Sequence, residues 1–395
     1  MDAYVYEVAR TPRGRGSSKG ALAGVRPIEL VGHVLAALKE RGIEPAWASD
    51  LVLGCSTQSG EQGGDLAQIA AVHAGWSGVT GATVSRFCCS GLEALRVAAM
   101  QANAGSSAGE GLVIAGGVES MSRVPMFSDR APWFADPEVS ETTSFVHMGV
   151  AADLVATLEG IERAQLEALA LESHRRSARA QAEGRFDREL VSVGALHQDE
   201  GVREGMTAEG LASLEPAFAA LGAEQGDARC LARYPELETI AHRHTIATSP
   251  GLADCAALAV VGSRAAGEAH GLEPRARLRA FATYAEEPVK MLTGNVEGAR
   301  RALKAVGMTA SDIDVFEVNE SFAVVPVHFA RALDVDPQRL NPNGGALSVG
   351  HPLGATGGVL LANALAELER SDGSVALCSV CGGAGVTMTM VVERV

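Results

Sequence analysis

The sequence predicts an α/β protein of two duplicated halves, each a helix-covered and mostly parallel sheet, with a loop domain inserted in the first half. Three observations carry that expectation. A helical run, a glycine stop and a short apolar strand occur twice; a turn that opens a helix, the helix, a second strand and a Gly-Gly pair also occur twice; and the stretch between the two copies is richer in charge than its flanks. Helices that alternate with short apolar strands are the pattern of crossover connections, which cover a parallel sheet on both faces.

The first copy opens with the helical run Glu29 to Leu38, stopped by Gly42, and reaches the strand Leu51-Val52-Leu53. Thr83-Val84 then leads into Phe87-Cys88-Cys89-Ser90-Gly91, a helix with Leu92, Leu95, Ala99 and Ala102 on one face, the strand Leu112 to Ala115, and Gly116-Gly117. From Met121 to His244 the chain has helical spacing around Gln165 to Gln181 and turn residues elsewhere. The second copy runs from Gly298 to Val306, stops at Gly307 and enters the strand Ile313 to Val318. It closes with the turn Gly350-His351-Pro352-Leu353-Gly354, the helix Gly358 to Leu368, the strand Val375 to Val380 and Gly382-Gly383. The expected units are therefore 1–120 with 245–270 for the first half, 121–244 for the loop domain and 271–395 for the second half.

A chain of 395 residues exceeds the size at which one core stops growing, and 47% hydrophobic against 21% charged residues excludes wholesale disorder. The formal net charge of -15 offers no footprint for nucleic acid. No apolar run approaches the ~18 residues of a membrane span, and Met1 to Arg13 lacks the apolar core of a secretory signal, so a cytoplasmic protein is expected. Seven cysteines, an odd number, point to reduced thiols rather than disulfides.

The duplication also places chemistry. Cys88 and His351 fall at matching points of the two copies, each in a turn that opens a helix, and Cys381 ends the strand after the second helix. Three reactive side chains are thus expected to converge where the halves meet. A helix N-terminus lowers a thiol pKa, which fits Cys88, and the neighbouring glycines let N–H groups approach a developing oxyanion, each well-aimed donor contributing roughly 3 kcal/mol. Acyl transfer through a thioester is the reaction class these residues suit. Cys378 and Cys381 have the spacing of a redox or zinc half-site, but no second pair follows, and no metal is expected. Cys55, Cys230 and Cys255 read as core, and the arginines at 175, 176, 179, 185 and 188 as a solvated helix face.

Four motifs, Ser85 to Ala94, Gly116 to Ser122, Asn319-Glu320-Ser321-Phe322-Ala323, and Asn343-Gly344-Gly345-Ala346 through Gly350 to Gly357, resemble in order and spacing the thiolase family over essentially the whole chain. The resemblance implies a five-layered αβαβα fold and acyl transfer between coenzyme A and acetyl-CoA through an acyl-cysteine. It implies no cofactor, coenzyme A being a substrate, a homodimer or homotetramer, and leaves room for a partner subunit of a β-oxidation complex. Cys88 matches the nucleophile, His351 its base, and Cys381, preferred over Cys378, the acid/base at the acetyl-CoA α-carbon. Asn319 matches the residue that holds a water beside His351 in one oxyanion hole; the N–H groups of Cys88 and Gly383 form the other. His147 and Met148 resemble the short-chain type and are expected to shape the acyl pocket. Ser85, Cys89 and Ser321 depart mildly from the pattern. The stretch 247–255 departs more, with Pro250 replacing a serine along the pantetheine arm and Ser249 left to supply a hydroxyl. Two other readings stand beside the active thiolase: a degenerate acyl-CoA-binding relative with weak turnover, and a ketoacyl-synthase-type condensing enzyme, which needs a second histidine or asparagine where Cys381 stands.

Overall fold

The duplication is visible in the order of the strands. The computed structural model describes residues 2–104 and 111–395. Its strands are β1 (Tyr4–Arg10), β2 (Gly14–Arg15), β3 (Ala48–Gly54), β4 (Thr80–Val84), β5 (Leu112–Ser120), β6 (Ala253–Gly262), β7 (Ala276–Ala285), β8 (Val315–Val318), β9 (Val375–Cys381) and β10 (Val386–Arg394). They pair in the order β4-β3-β5-β6-β1-β7-β10-β9-β8, with β2 beside β6. In the first half β3 and β5 are parallel, while β5–β6 and β6–β1 are antiparallel. The second half repeats this with β8–β9 parallel and β9–β10 and β10–β7 antiparallel. An antiparallel pair joins the halves, Tyr4 opposite Arg277 and Val5 opposite Ala276.

The sheet is therefore mixed, and the expectation of a mostly parallel one is corrected. Helix-then-strand alternation announces only strands reached by a crossover. The antiparallel strands return without a helix: β10 follows β9 across residues 382–385 alone. In the first half the equivalent place, between β5 and β6, holds residues 121–252.

The helices that matter for the site are α1 (Pro27–Glu40), α2 (Leu66–His73), α3 (Ser90–Ala104), α4 (Met148–Leu158), α5 (Arg163–Ala182), α6 (Gly294–Val306), α7 (Val324–Leu333) and α8 (Thr356–Ser371). Pro27 pre-sets the first turn of α1, which buries Leu30, Val31, Val34, Leu35 and Leu38 on one face. Gly307, at φ 69°, ends α6 in the left-handed conformation that glycine adopts without strain. Helices α1 and α2 cover the first half, α6 covers the second, and α3 and α8 lie together between them, touching strands of both. That is the five-layered arrangement. Leu95 and Ala98 of α3, Leu361 and Leu365 of α8, and Met388 and Met390 of β10 form the core of the middle layer.

Within the insertion, α5 does more than present a solvated face. Arg176 donates to the carbonyls of Leu340 and Asn341, Arg179 to that of Pro342, and Arg185 to the Asn343 side chain. Arg175 remains at the surface, paired with Glu172. The arginine run anchors the loop that leads to α8.

Glycine makes the middle layer possible. A Cβ on Gly91 would stand 2.7 Å from the Gly354 carbonyl oxygen; one on Gly117 would overlap the same atom, and one on Gly357 the Leu92 nitrogen. Gly117→Ala is expected to lower the unfolding free energy by about 2–3 kcal/mol or to prevent folding, because backbone must move. Gly32→Ala, on an α1 face with nothing within 4 Å, should instead stabilise by about 0.5–1 kcal/mol. Urea denaturation of the two variants checks both signs.

Candidate active site

Cys88 precedes α3 in a turn held by its neighbours. Phe87 adopts φ +48°, a strained conformation for a residue with a side chain, and Ser90 clamps the turn by accepting from Arg86 N and donating to Phe87 O. Cys89, next in sequence, points into the core, with its sulfur 3.2 Å from Val380 O. The turn thus sends consecutive cysteines in different directions, one to a cavity and one to packing.

His351 reaches the same cavity from the second half. Its backbone N donates to Gly251 O at 2.9 Å, Nδ1 lies 2.8 Å from Thr356 Oγ1, and Nε2 lies 3.4 Å from Asn319 Nδ2. The amide donor at Nε2 makes that nitrogen the acceptor and puts the ring hydrogen on Nδ1, facing Thr356. Asn319 Nδ2 also donates to Ser321 Oγ at 2.8 Å, and Ser321 Oγ lies 3.4 Å from Cys381 Sγ. Ser321, which the sequence showed only as a departure, links Asn319 to Cys381.

The parity of a strand separates the two candidate thiols. Residues an odd number apart face opposite sides of a sheet. Cys381 faces the cavity with Cys88 and His351, whereas Cys378 lies in the core of the middle layer with its sulfur 3.6 Å from Leu360 O. Cys55, Cys230 and Cys255 are buried. The cavity, about 200 Å³, is also lined by His147, Met148, Ser249 and Gly383. His147 caps α4, its Nδ1 accepting from Gly149 N at 3.1 Å, so the ring hydrogen sits on Nε2; burial lowers its pKa and keeps it neutral.

The unusual stretch 247–255 begins with a strap across the site. Ser249 Oγ donates to Thr245 O at 2.9 Å, Thr248 O accepts from Ala323 N at 3.0 Å, and Gly251 O holds His351. Nothing in the residue types signalled these backbone bonds, which tie the Asn319–Ala323 turn and the His351 turn to one segment.

Electrostatics here run against the expectation of a lowered Cys88 pKa. Burial, then the nearby Cys381 and Glu119, pushes the Cys88 thiol up to about 12, although the N–H groups of Cys88 and Gly383 reach its sulfur and act the other way. The dipole of a helix start is a partial charge, and removing the thiolate from water outweighs it. Burial likewise raises Cys381, opposed by Ser321 and Asn295, and burial with the Arg13 charge lowers His351 to about 4. At rest the site holds neutral thiols beside a neutral imidazole. Among the described residues no group of three or more His, Cys, Asp or Glu is placed to hold a metal ion, and no helix is long and apolar enough to cross a membrane.

Comparison with known proteins matches this geometry to a family. The description "Thiolase, N-terminal domain" covers residues 3–228 and "Thiolase, C-terminal domain" covers 272–394. The chain belongs to the thiolase family. It is similar to a steroid 3-ketoacyl-CoA thiolase of Mycobacterium tuberculosis, with 33% identity over 100% of this chain and 94% of the relative. A β-ketoadipyl-CoA thiolase of Escherichia coli is 35% identical over the full length of both proteins. The crystal structure of the Bacillus anthracis acetyl-CoA acetyltransferase superposes with a TM-score of 0.85 at 29% identity, covering 100% of this chain and 99% of the other. This thiolase therefore carries Cys88, His351 and Cys381 in one cavity on the fold its relatives share.

A neutral resting site has a spectroscopic consequence. An ordinary thiol is half-ionised near pH 8.5, but a raised pKa delays the thiolate to more alkaline solution. The 240 nm thiolate absorbance of the free protein, taken as the difference from Cys88→Ser, is expected to stay flat from about pH 6 to about pH 9 and rise only above.

Proposed function

We propose that the chain is an active thiolase, converting 3-ketoacyl-CoA and coenzyme A to acyl-CoA and acetyl-CoA, or running the reverse condensation, through acyl-Cys88. The convergence of Cys88, His351 and Cys381 on one cavity, with Asn319 bonded to His351, carries this reading. Cys88 gives its proton to His351 Nε2, and the thiolate attacks the 3-keto carbon while the N–H groups of Cys88 and Gly383 receive the oxyanion. The C2–C3 bond then breaks toward an acetyl-CoA enolate, held by Asn319, its water and His351. Cys381 protonates that carbon; a thiol kept protonated by burial is a donor ready for the task. Incoming coenzyme A returns a proton to Cys381 and attacks acyl-Cys88, which leaves and recovers its proton from His351.

The altered 247–255 stretch keeps its hold on His351 and Ala323, which favours turnover over mere acyl-CoA binding. Cys381 stands where a ketoacyl-synthase-type enzyme needs a histidine or asparagine. The unit organisation follows the same reading, with 121–244 as a loop domain whose His147 and Met148 flank bound acyl-CoA together with Ser249 of the 245–270 segment. The protein acts in the cytoplasm as a homodimer or homotetramer: β4 is a free sheet edge, and Ile69 and Val72 of the adjoining α2 are about half exposed.

Cys88→Ser should lose thiolysis of acetoacetyl-CoA by several orders of magnitude. Cys381→Ala should still take an acetyl group on Cys88, seen by peptide mass spectrometry, yet fail to exchange the acetyl-CoA α-proton. Acetylation of another cysteine in the parent protein overturns the assignment.

The cavity also suits uncharged acyl chains. Met121, Met126, Met148, Phe218, Leu292 and Phe322 line it, and a carboxylate buried among them meets no Lys or Arg side chain in the lining. A 3-ketoacyl-CoA ending in a methyl group should exceed the kcat/KM of an equally long one ending in a carboxylate by at least about a hundredfold. Equal values in a thiolysis assay contradict this.

A further inference from the structure

Beside Thr356 and Asn319, the two side chains bonded to the His351 ring, lies a much smaller cavity of about 10 Å³, the room one water needs. Arg13, Glu317, Asn319, Thr356 and Asn363 line it. Three of these bring buried polar atoms with no hydrogen-bond partner: Arg13 Nε, Glu317 Oε1 and Asn363 Oδ1. Each of the three residues is more than nine-tenths buried. A buried donor or acceptor left unpaired costs free energy comparable to a lost hydrogen bond, and native interiors satisfy such groups with protein or ordered water. Three orphans around one water-sized space point to a common partner.

We propose that one ordered water fills this cavity, and that Glu317, acting through the water and the Thr356 hydroxyl, is a positioning residue that sets how readily His351 takes the Cys88 proton. The proposal rests on Cys88 and His351 being nucleophile and base. When Cys88 Sγ gives its proton to His351 Nε2, a thiolate and an imidazolium form. The Nδ1 hydrogen stays on the ring and donates to Thr356 Oγ1, whose own hydrogen turns into the cavity. The water then accepts from Thr356 and from Arg13 Nε, and donates to Asn363 Oδ1 and to Glu317 Oε1. All four of its bonds are made, every orphan is satisfied, and no proton leaves the site. An ionised Glu317 is then the negative charge that answers the new imidazolium.

Glu317 is placed to change charge in the working range. Burial raises its pKa to about 8; Glu367 of α8 and Glu320 beyond β8 also raise it, while the Asn363 amide and the Arg13 charge oppose the rise. Cys378 faces it from β9 and is itself pushed up partly by that carboxylate. The Arg13 charge also bears on His351, so the two titratable groups share one neighbour. The carboxyl is neutral below its raised pKa and charged above it, so the help it gives His351 arrives as pH rises through about 8.

The test is the rate at which iodoacetamide alkylates Cys88, located by peptide mass spectrometry and compared at about pH 6.5 and about pH 9. Glu317→Gln preserves the shape and removes the charge; the ratio of alkaline to acid rate should fall about tenfold against the parent, the effect of about one pKa unit. Thr356→Val, with Glu317 intact, should give the same loss, and Thr356→Ser should restore it. A merely structural role lowers both rates together, so an unchanged ratio in folded Glu317→Gln and Thr356→Val overturns the inference while leaving Cys88 as nucleophile. Alkylation confined to another cysteine overturns the functional reading and this inference with it.

Discussion

Everything at the site depends on how closely two helix starts approach. The first turn of α3 and the turn before α8 meet backbone to backbone because Gly91, Gly117, Gly354 and Gly357 have no side chains to hold them apart. Glu119 of β5 fixes the contact, accepting from the backbone N–H groups of Ser56, Thr57 and Gly354 and from Gln62. A carboxylate from one half thus ends on the glycine turn of the other. An extra methyl group at Gly91, Gly117 or Gly357 would overlap backbone atoms and force apart the turns that carry Cys88 and His351.

Much of this was legible because it is written twice. Each crossover strand is preceded by its helix and stop, so the repeat exposed α1, α3, α6 and α8 and the turns that carry Cys88 and His351. The antiparallel strands were not legible in the same way, since β1, β6, β7 and β10 have no crossover helix to announce them. The choice of Cys381 over Cys378 came from resemblance; the alternation of faces along β9 supplies a physical reason that needs only the strand to be known.

What residue types could not convey was competition between forces. A thiol at a helix start invites the expectation of a lowered pKa, but depth of burial is a property of the packed chain, and for Cys88 it outweighs the N–H donors at its sulfur. The arginines of α5 looked like a solvated stripe because their acceptors are carbonyls of residues 337–342, far away in sequence. Ser321 and the strap at 245–252 are similar cases, where distant backbone atoms give ordinary residues their place.

The neutral resting pair also bears on survival between turnovers. Peroxide oxidises a thiolate much faster than a thiol, and the sulfinic and sulfonic acids that follow are dead ends for a nucleophile. If Cys88 is the nucleophile proposed above, a site that holds it protonated at rest keeps its sulfur in the less oxidisable form. The desolvation that makes the nucleophile harder to generate is, for an idle enzyme, a shield against oxidative loss.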